Sequence, residues 1–348
     1  MRVLALPLSL LLCTCSAPTQ NDPLSVQAAS QVSTDVGVPV HEAFATAAAK
    51  FDTSAAAFAA APDATTLAQV RADWKAARLA FRATDALGFG PVEDLRISEA
   101  IDYWPARTDS IEELIAGTDS LEVDALVALG ANKKGFAALE YLLFGVDADI
   151  LTAMGANARR PAFVANLAHA LSLKANMLRD AWAGANGYAA LLGSPGNATF
   201  PTAKASIDTI VNQSFFLGDL VANGVIGKPS GLRTGGAVDV TQERSRLSGN
   251  SLAEIKASID SMKNVYDHGL GVLVKARSTT VDTQVLAQFD TVYAAITAVP
   301  EPFTDSMTTH ATEVHTMYIA IRDLKGVYAA EVSTALGVTL RFSDSDGD

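Results

Sequence analysis

The stretch Gly135-Phe136-Ala137-Ala138-Leu139-Glu140-Tyr141-Leu142-Leu143-Phe144-Gly145 places one carboxylate in a run whose other side chains call for a hydrophobic interior. A helix that is apolar nearly all round belongs inside a larger helical protein. A glutamate in such a helix needs a partner or a proton. Three residues earlier, on the same helical face, stands Ala137, which can neither ligate a metal nor donate a hydrogen bond. The partner of Glu140 therefore comes from another part of the chain, and its identity is the functional question.

The rest of the sequence agrees with a helical interior. It is rich in alanine, carries 7% aromatic residues and lacks long β-branched clusters, a composition that favours helices. A helix starting near Thr65 carries Leu67, Val70, Trp74 and Phe81 on one face, and Arg78 and Asp85 fall on that same face. Helices are also predicted from about Val26 with a break or kink at Pro39, from Asn157 to Trp182, from Ala203 to Gly224, from Ser251, from Val281, and through Met307 to Val332. The segment between Val92 and Arg107 has no period, yet holds Glu93, Asp94, Glu99, Asp102 and the Trp104-Pro105 pair. Such a segment carries function or covers a helix end.

With 348 residues the chain exceeds the size at which a single core keeps growing. The expected fold is all-α, two related antiparallel helical bundles packed together with a cleft between them. The expected divisions are a signal and lipobox at 1–15, a tether at 16–25, an N-terminal bundle at 26–226, a glycine-rich connection at 227–240 and a C-terminal bundle at 241–348.

Met1 to Leu12 carries one cation, Arg2, and an apolar run too short to span a bilayer, as in a secretory signal. Leu12-Cys13-Thr14-Cys15 resembles a bacterial lipoprotein box with threonine before the modified cysteine; a plain cleaved signal is the alternative reading. Lipidation at Cys15 would attach the protein to a membrane without spanning it. The expected location is the periplasmic side of a bacterial membrane, the outer membrane favoured.

Lys and Arg number 26 against 38 Asp and Glu, a net charge of -12, so the electrostatic term that drives nucleic-acid binding is missing and cations are the more natural partners. No Gly-x-Ser-x-Gly elbow, phosphate-binding Gly-Lys-Ser/Thr loop or His-Glu-x-x-His zinc motif is present. His310-Ala311-Thr312-Glu313 has the spacing of helical metal ligands but supplies only two. The Asp344-Ser345-Asp346-Gly347-Asp348 terminus opens like a calcium loop and stops before the later ligands.

Asp85, Asp102 and Glu140 remain, three carboxylates on apolar or aromatic backgrounds. If they converge, with Trp104 beside them, they form an acidic cleft for a hard cation or a small cationic ligand, with Asp85 and Glu140 as metal ligands. The alternative is a structural network in which Arg78 neutralises them. The cofactor of the first reading is a metal cation such as iron or calcium.

The ordered set Trp74-x-x-x-Arg78 with Asp85, Trp104-Pro105, Gly135 to Gly145, Gly227-Lys228-Pro229, Ser251-Leu252, Asn264-Val265-Tyr266 and Leu336-Gly337-Val338 through Phe342 to Asp346-Gly347-Asp348 resembles the imelysin-like family of bacterial periplasmic proteins. The resemblance implies a fold of two related helical bundles and lipoproteins of the cell envelope that are often iron-regulated. It also implies a Gly-x-His-x-x-Glu motif, on which the family was once classed with metallopeptidases. Gly135 and Glu140 match that motif; Ala137 stands at its histidine. Imidazole is the ligand that selects transition metals. The expectation is therefore a non-catalytic binding protein of iron or other metal acquisition. A metal-dependent peptidase, or a structural partner of an outer-membrane receptor or another periplasmic protein, are the rival readings.

Overall fold

The computed structural model describes residues 21–145 and 149–341; the signal, Cys15 and the Asp344–Asp348 terminus lie outside the described residues. Among the described residues every regular element is helical. Caps set several of the starts. Asp22 accepts from the Ser25 N–H ahead of Pro23, and Asp63 and Thr66 close a reciprocal capping box at the head of Ala64–Arg82. Thr202 and Ser278 cap Ala203–Asp219 and Thr279–Ala298 one-sidedly, their side chains accepting from the Ala205 and Val281 N–H groups.

Two groups of helices form the body. In the first, Val38–Ala60 packs between Ala64–Arg82 and Arg159–Trp182, and Gly135–Phe144 lies against the latter two. Its core is aromatic: Trp74 meets Phe136 and Phe144 edge-on, and Phe81 lies between Phe44 and Phe136. In the second, Thr279–Ala298 packs on Ala311–Val327, and Ser251–Val265 closes the group. Ala203–Asp219 precedes the 227–240 connection in sequence but packs with this second group, as does the first helix, Pro23–Gln31. The amphipathic faces of both helices match surfaces made by later segments, information that lies outside either helix.

Where a break or kink was expected at Pro39, the helix is interrupted just before the proline. The chain passes through a π-helical turn, Val32–Gly37, and continues as helix with Pro39 in its first turn, where a missing N–H costs little. A second π-helical turn, Tyr266–Leu270, packs against the first; a Cβ on Gly269 would come within 2.3 Å of Val32. The aperiodic 92–107 segment contains two short helices, Pro91–Asp94 and Ile97–Ile101, and ends in a cis Trp104–Pro105 peptide. The Gly227–Val240 connection, expected to be exposed, is buried at Pro229, Ser230 and Gly231 and exposed from Arg233 to Asp239.

One buried group makes the fold sensitive to acid. His41 is fully buried, stacks on Trp182 with centroids 4.5 Å apart, and its Nδ1 lies 2.7 Å from the Gly37 carbonyl oxygen. Burial pushes its pKa down from 6.5 to about 4, against the Gly37 hydrogen bond. The unfolded chain therefore takes up a proton before the folded one does, and stability falls as pH drops from about 6.5 towards 4, by ~3 kcal/mol for the full shift. Denaturant melts of wild type and His41→Phe between pH 7 and pH 4.5 are expected to show a shallower acid dependence in the variant; equal slopes would contradict this account.

Candidate functional site

The site begins at the C-terminal end of Ala64–Arg82. Trp74, Arg78 and Arg82 follow one another at intervals of four, so the stripe that enters the core brings two guanidiniums with it. Arg78 lies over the Phe136 ring and Arg82 over the Phe81 ring, at 5.0 and 4.9 Å from the ring centroids. Both arginines are buried and must meet anions. Asp102 takes one from each, Oδ1 accepting from Arg78 Nη1 and Oδ2 from Arg82 Nη2. Glu254 Oε2 accepts from Arg78 Nε at 2.8 Å, and Asp85 accepts from Arg82 Nη1 at 3.2 and 3.3 Å.

The second group of helices completes the network. Ser258 Oγ donates to Asp85 Oδ2 at 2.6 Å, and Ser261 Oγ accepts from the Ala86 N–H at 3.1 Å. These bonds pin the Asp85–Leu87 turn to Ser251–Val265. Glu254 Oε1 accepts from Ser245 Oγ at 2.5 Å and Asn250 Nδ2 at 3.2 Å. Arg244 lies over Trp104, 5.9 Å from the ring centroid. Three arginines, at 78, 82 and 244, thus face three acids, at 85, 102 and 254, along the seam between the two helix groups.

Glu140 stands beside this network with a different partner. Its Oε1 accepts from both the backbone N–H and the Oγ of Ser248, each at 2.8 Å. The hydrogen-bond partner that Glu140 finds is thus a serine in the segment after the glycine-rich connection. Gly135 explains the start of that helix. Its φ is +73°, and a Cβ there would sit 2.4 Å from the Ile101 carbonyl oxygen, so only glycine lets the helix end approach the residue preceding Asp102.

Burial and charge pull the acids apart in acidity. Burial would raise Asp102, but Arg78, Arg82 and Arg244 together outweigh it and hold its carboxyl well below the usual range. Burial raises Asp85 despite Arg82 and Ser258. Burial likewise raises Glu140 against the two Ser248 bonds, and the negative field of Glu254 adds to it.

Arg78, Asp85 and Asp102, expected together from sequence, do converge, and Trp104 joins them through Arg244. Glu140 reaches only Ser248, and Ala137 is half-buried on the same helix. The proposed metal ligands Asp85 and Glu140 each have protein donors, and among the described residues no three His, Cys, Asp or Glu side chains are grouped to hold a metal ion. The residues present do not fit a resident metal cofactor. His310 stands just before the first residue of Ala311–Val327 without a side-chain capping bond, and its Nδ1 lies 2.9 Å from the Thr309 hydroxyl. Sequence reasoning missed Arg82, Arg244, Glu254, Ser248 and Ser258. Arg82 was signalled by its position four residues after Arg78. Ser251-x-x-Glu254 spells a capping box, which conceals the role Glu254 plays.

On its outer side the network faces a cleft of about 620 Å³ between the two groups. Arg82, Asp85 and Asp102 line one wall; Phe216, Asp219 and Lys325 line the opposite one, with Arg244 also on the lining.

Removing the charge of Glu140 tests its role. A carboxyl raised by burial contributes stability that is present below its unfolded pKa and lost as pH rises through the folded one. Glu140→Gln keeps an acceptor for Ser248 and abolishes that loss. At pH 7 the variant is expected to melt at or above the wild-type temperature, with no response of either protein to added calcium or iron. A large drop, or a cation-dependent rise confined to wild type, would contradict the assignment.

Comparison with known proteins places this geometry. Iron-regulated protein A of Synechococcus elongatus is 27% identical over 285 residues, covering 77% of this chain and 74% of that one. A protein described as an iron-regulated protein A precursor from Parabacteroides distasonis superposes with a TM-score of 0.81 at 20% identity, over 93% of this chain and 97% of the other. An imelysin-like protein from Psychrobacter arcticum gives 0.76 at 17% identity, over 92% and 97%. These two structures share the fold. The family model described as Imelysin, named for a peptidase class, matches residues 37–327. Since that match spans most of the chain and both helix groups, the protein belongs to the imelysin family.

Proposed function

We propose that the protein is a non-catalytic binding protein of the bacterial cell envelope that serves iron acquisition, its ligand entering the cleft between the two helix groups. The observation that carries the non-catalytic reading is the state of Glu140. The histidine of the family motif is Ala137, and the glutamate is tied by two hydrogen bonds to Ser248. A catalytic metal needs about three protein ligands and an open position, and among the described residues Glu140 belongs to no group of three His, Cys, Asp or Glu that could hold one. Family membership and the iron-regulated relative support the link to iron. The cleft supports binding because it is a concave site of ordinary ligand size whose lining combines aromatic side chains, Phe81, Phe215 and Phe216, with charged groups of both signs. The envelope location rests on the Met1–Leu12 signal and on Cys15.

Purified protein incubated with unfolded polypeptide and zinc or iron is expected to leave it intact. Cleavage that vanishes in Glu140→Ala would restore the peptidase reading. Mass analysis of the protein from its native host is expected to find a diacyl or triacyl group on Cys15; a free N-terminus beyond Cys15 would remove the anchor.

A further inference from the structure

The cations and acids on the cleft lining are not equally committed. The lining holds Arg82, Arg233, Arg244 and Lys325 against Asp85, Asp102 and Asp219. Every acid is occupied: Asp102 by Arg78 and Arg82, Asp85 by Arg82 and Ser258, Asp219 by Lys325 and Asn223. A cation entering beside Asp85 or Asp102 would compete with these donors, whereas Asp219 takes both of its donors on Oδ1. Arg244 is the converse case. Its guanidinium lies over the Trp104 ring at 5.9 Å from the centroid, and among the described residues it donates no hydrogen bond and makes no ion pair. Both oxygens of Asp102, the acid that attracts it most, are already taken by Arg78 and Arg82.

An arginine presents five N–H donors in a planar fork that matches a carboxylate. A cation–π contact with an indole face uses none of those N–H donors. Burial weighs most on the Arg244 cation, and around it the attraction of Asp102 and Glu254 is opposed by the repulsion of Arg82 and Arg78. Phe81, Phe215 and Phe216 supply apolar walls for the body of a ligand.

We infer that the cleft is a receptor for a small carboxylate anion, with Arg244 as the group that grips the carboxylate. The inference rests on the reading of the cleft as a binding site and deepens it: iron carried here arrives as an anionic carboxylate chelate rather than as a bare ion.

Titration calorimetry of the full chain with citrate, inorganic phosphate and ferric citrate tests this. Citrate is expected to bind, to weaken as salt is raised, and to lose at least tenfold in affinity in Arg244→Gln. Arg244→Lys, which keeps charge and loses the fork, is expected to fall between them, and it carries the comparison if Arg244→Gln unfolds. Citrate that does not bind, binds equally to wild type and both variants, or binds less well than phosphate overturns the inference. Citrate binding with ferric citrate excluded would leave the anion site standing and remove iron from this cleft, so the two readings fail separately.

Discussion

Two guanidiniums one helical turn apart on a buried stripe are the constraint to which the rest of the molecule conforms. Arg78 and Arg82 enter the core because Trp74 and Phe81 do, and the helix gives them no other direction. Unpaired, each would cost several kcal/mol of desolvation. The acids that meet them come from three places: the turn just after the same helix, the 97–107 region, and the helix that begins at Ser251. Neutralising the arginines therefore requires the two helix groups to dock, and the docked seam also creates the cleft.

The network also accounts for the small residues around it. Gly135 lets its helix approach Ile101, which fixes Asp102 beside Arg78. Ser245, Ser248 and Asn250 form a donor-rich segment that satisfies Glu254 and Glu140 without adding charge. Members of such a buried polar cluster reinforce one another, and Arg82 Nε, which makes no hydrogen bond, still lies 3.7 Å from Glu254 Oε2. Breaking one pair would be felt throughout the cluster.

The helical fold was legible because it depends on local periodicity and caps. Seven-residue stripes and the Asp63–Thr66 box need no knowledge of distant residues. The convergence of Arg78, Asp85 and Asp102 was legible too, since charges on an apolar stripe are conspicuous. What stayed hidden is what a single helix cannot report. Glu254 reads as part of a cap, Arg244 sits beyond a glycine-rich connection, and Ser248 is a common residue in a common setting. Their roles come from docking across more than a hundred residues of chain, which periodicity does not encode. For the same reason Glu140, the most conspicuous acid in the sequence, looked like the centre of a cation site and is instead a neighbour of the network.

The central claim is that Arg78 and Glu254 are a buried, mutually dependent pair spanning the two helix groups. A double-mutant cycle with Arg78→Met and Glu254→Met, read by chemical denaturation at pH 7, tests it most directly. Each single change is predicted to cost about 3–5 kcal/mol by stranding the other charge. The double variant is predicted to cost less than the sum of the singles by at least ~2 kcal/mol. Additive losses would mean that the two side chains do not depend on each other, and the account of the seam would be wrong.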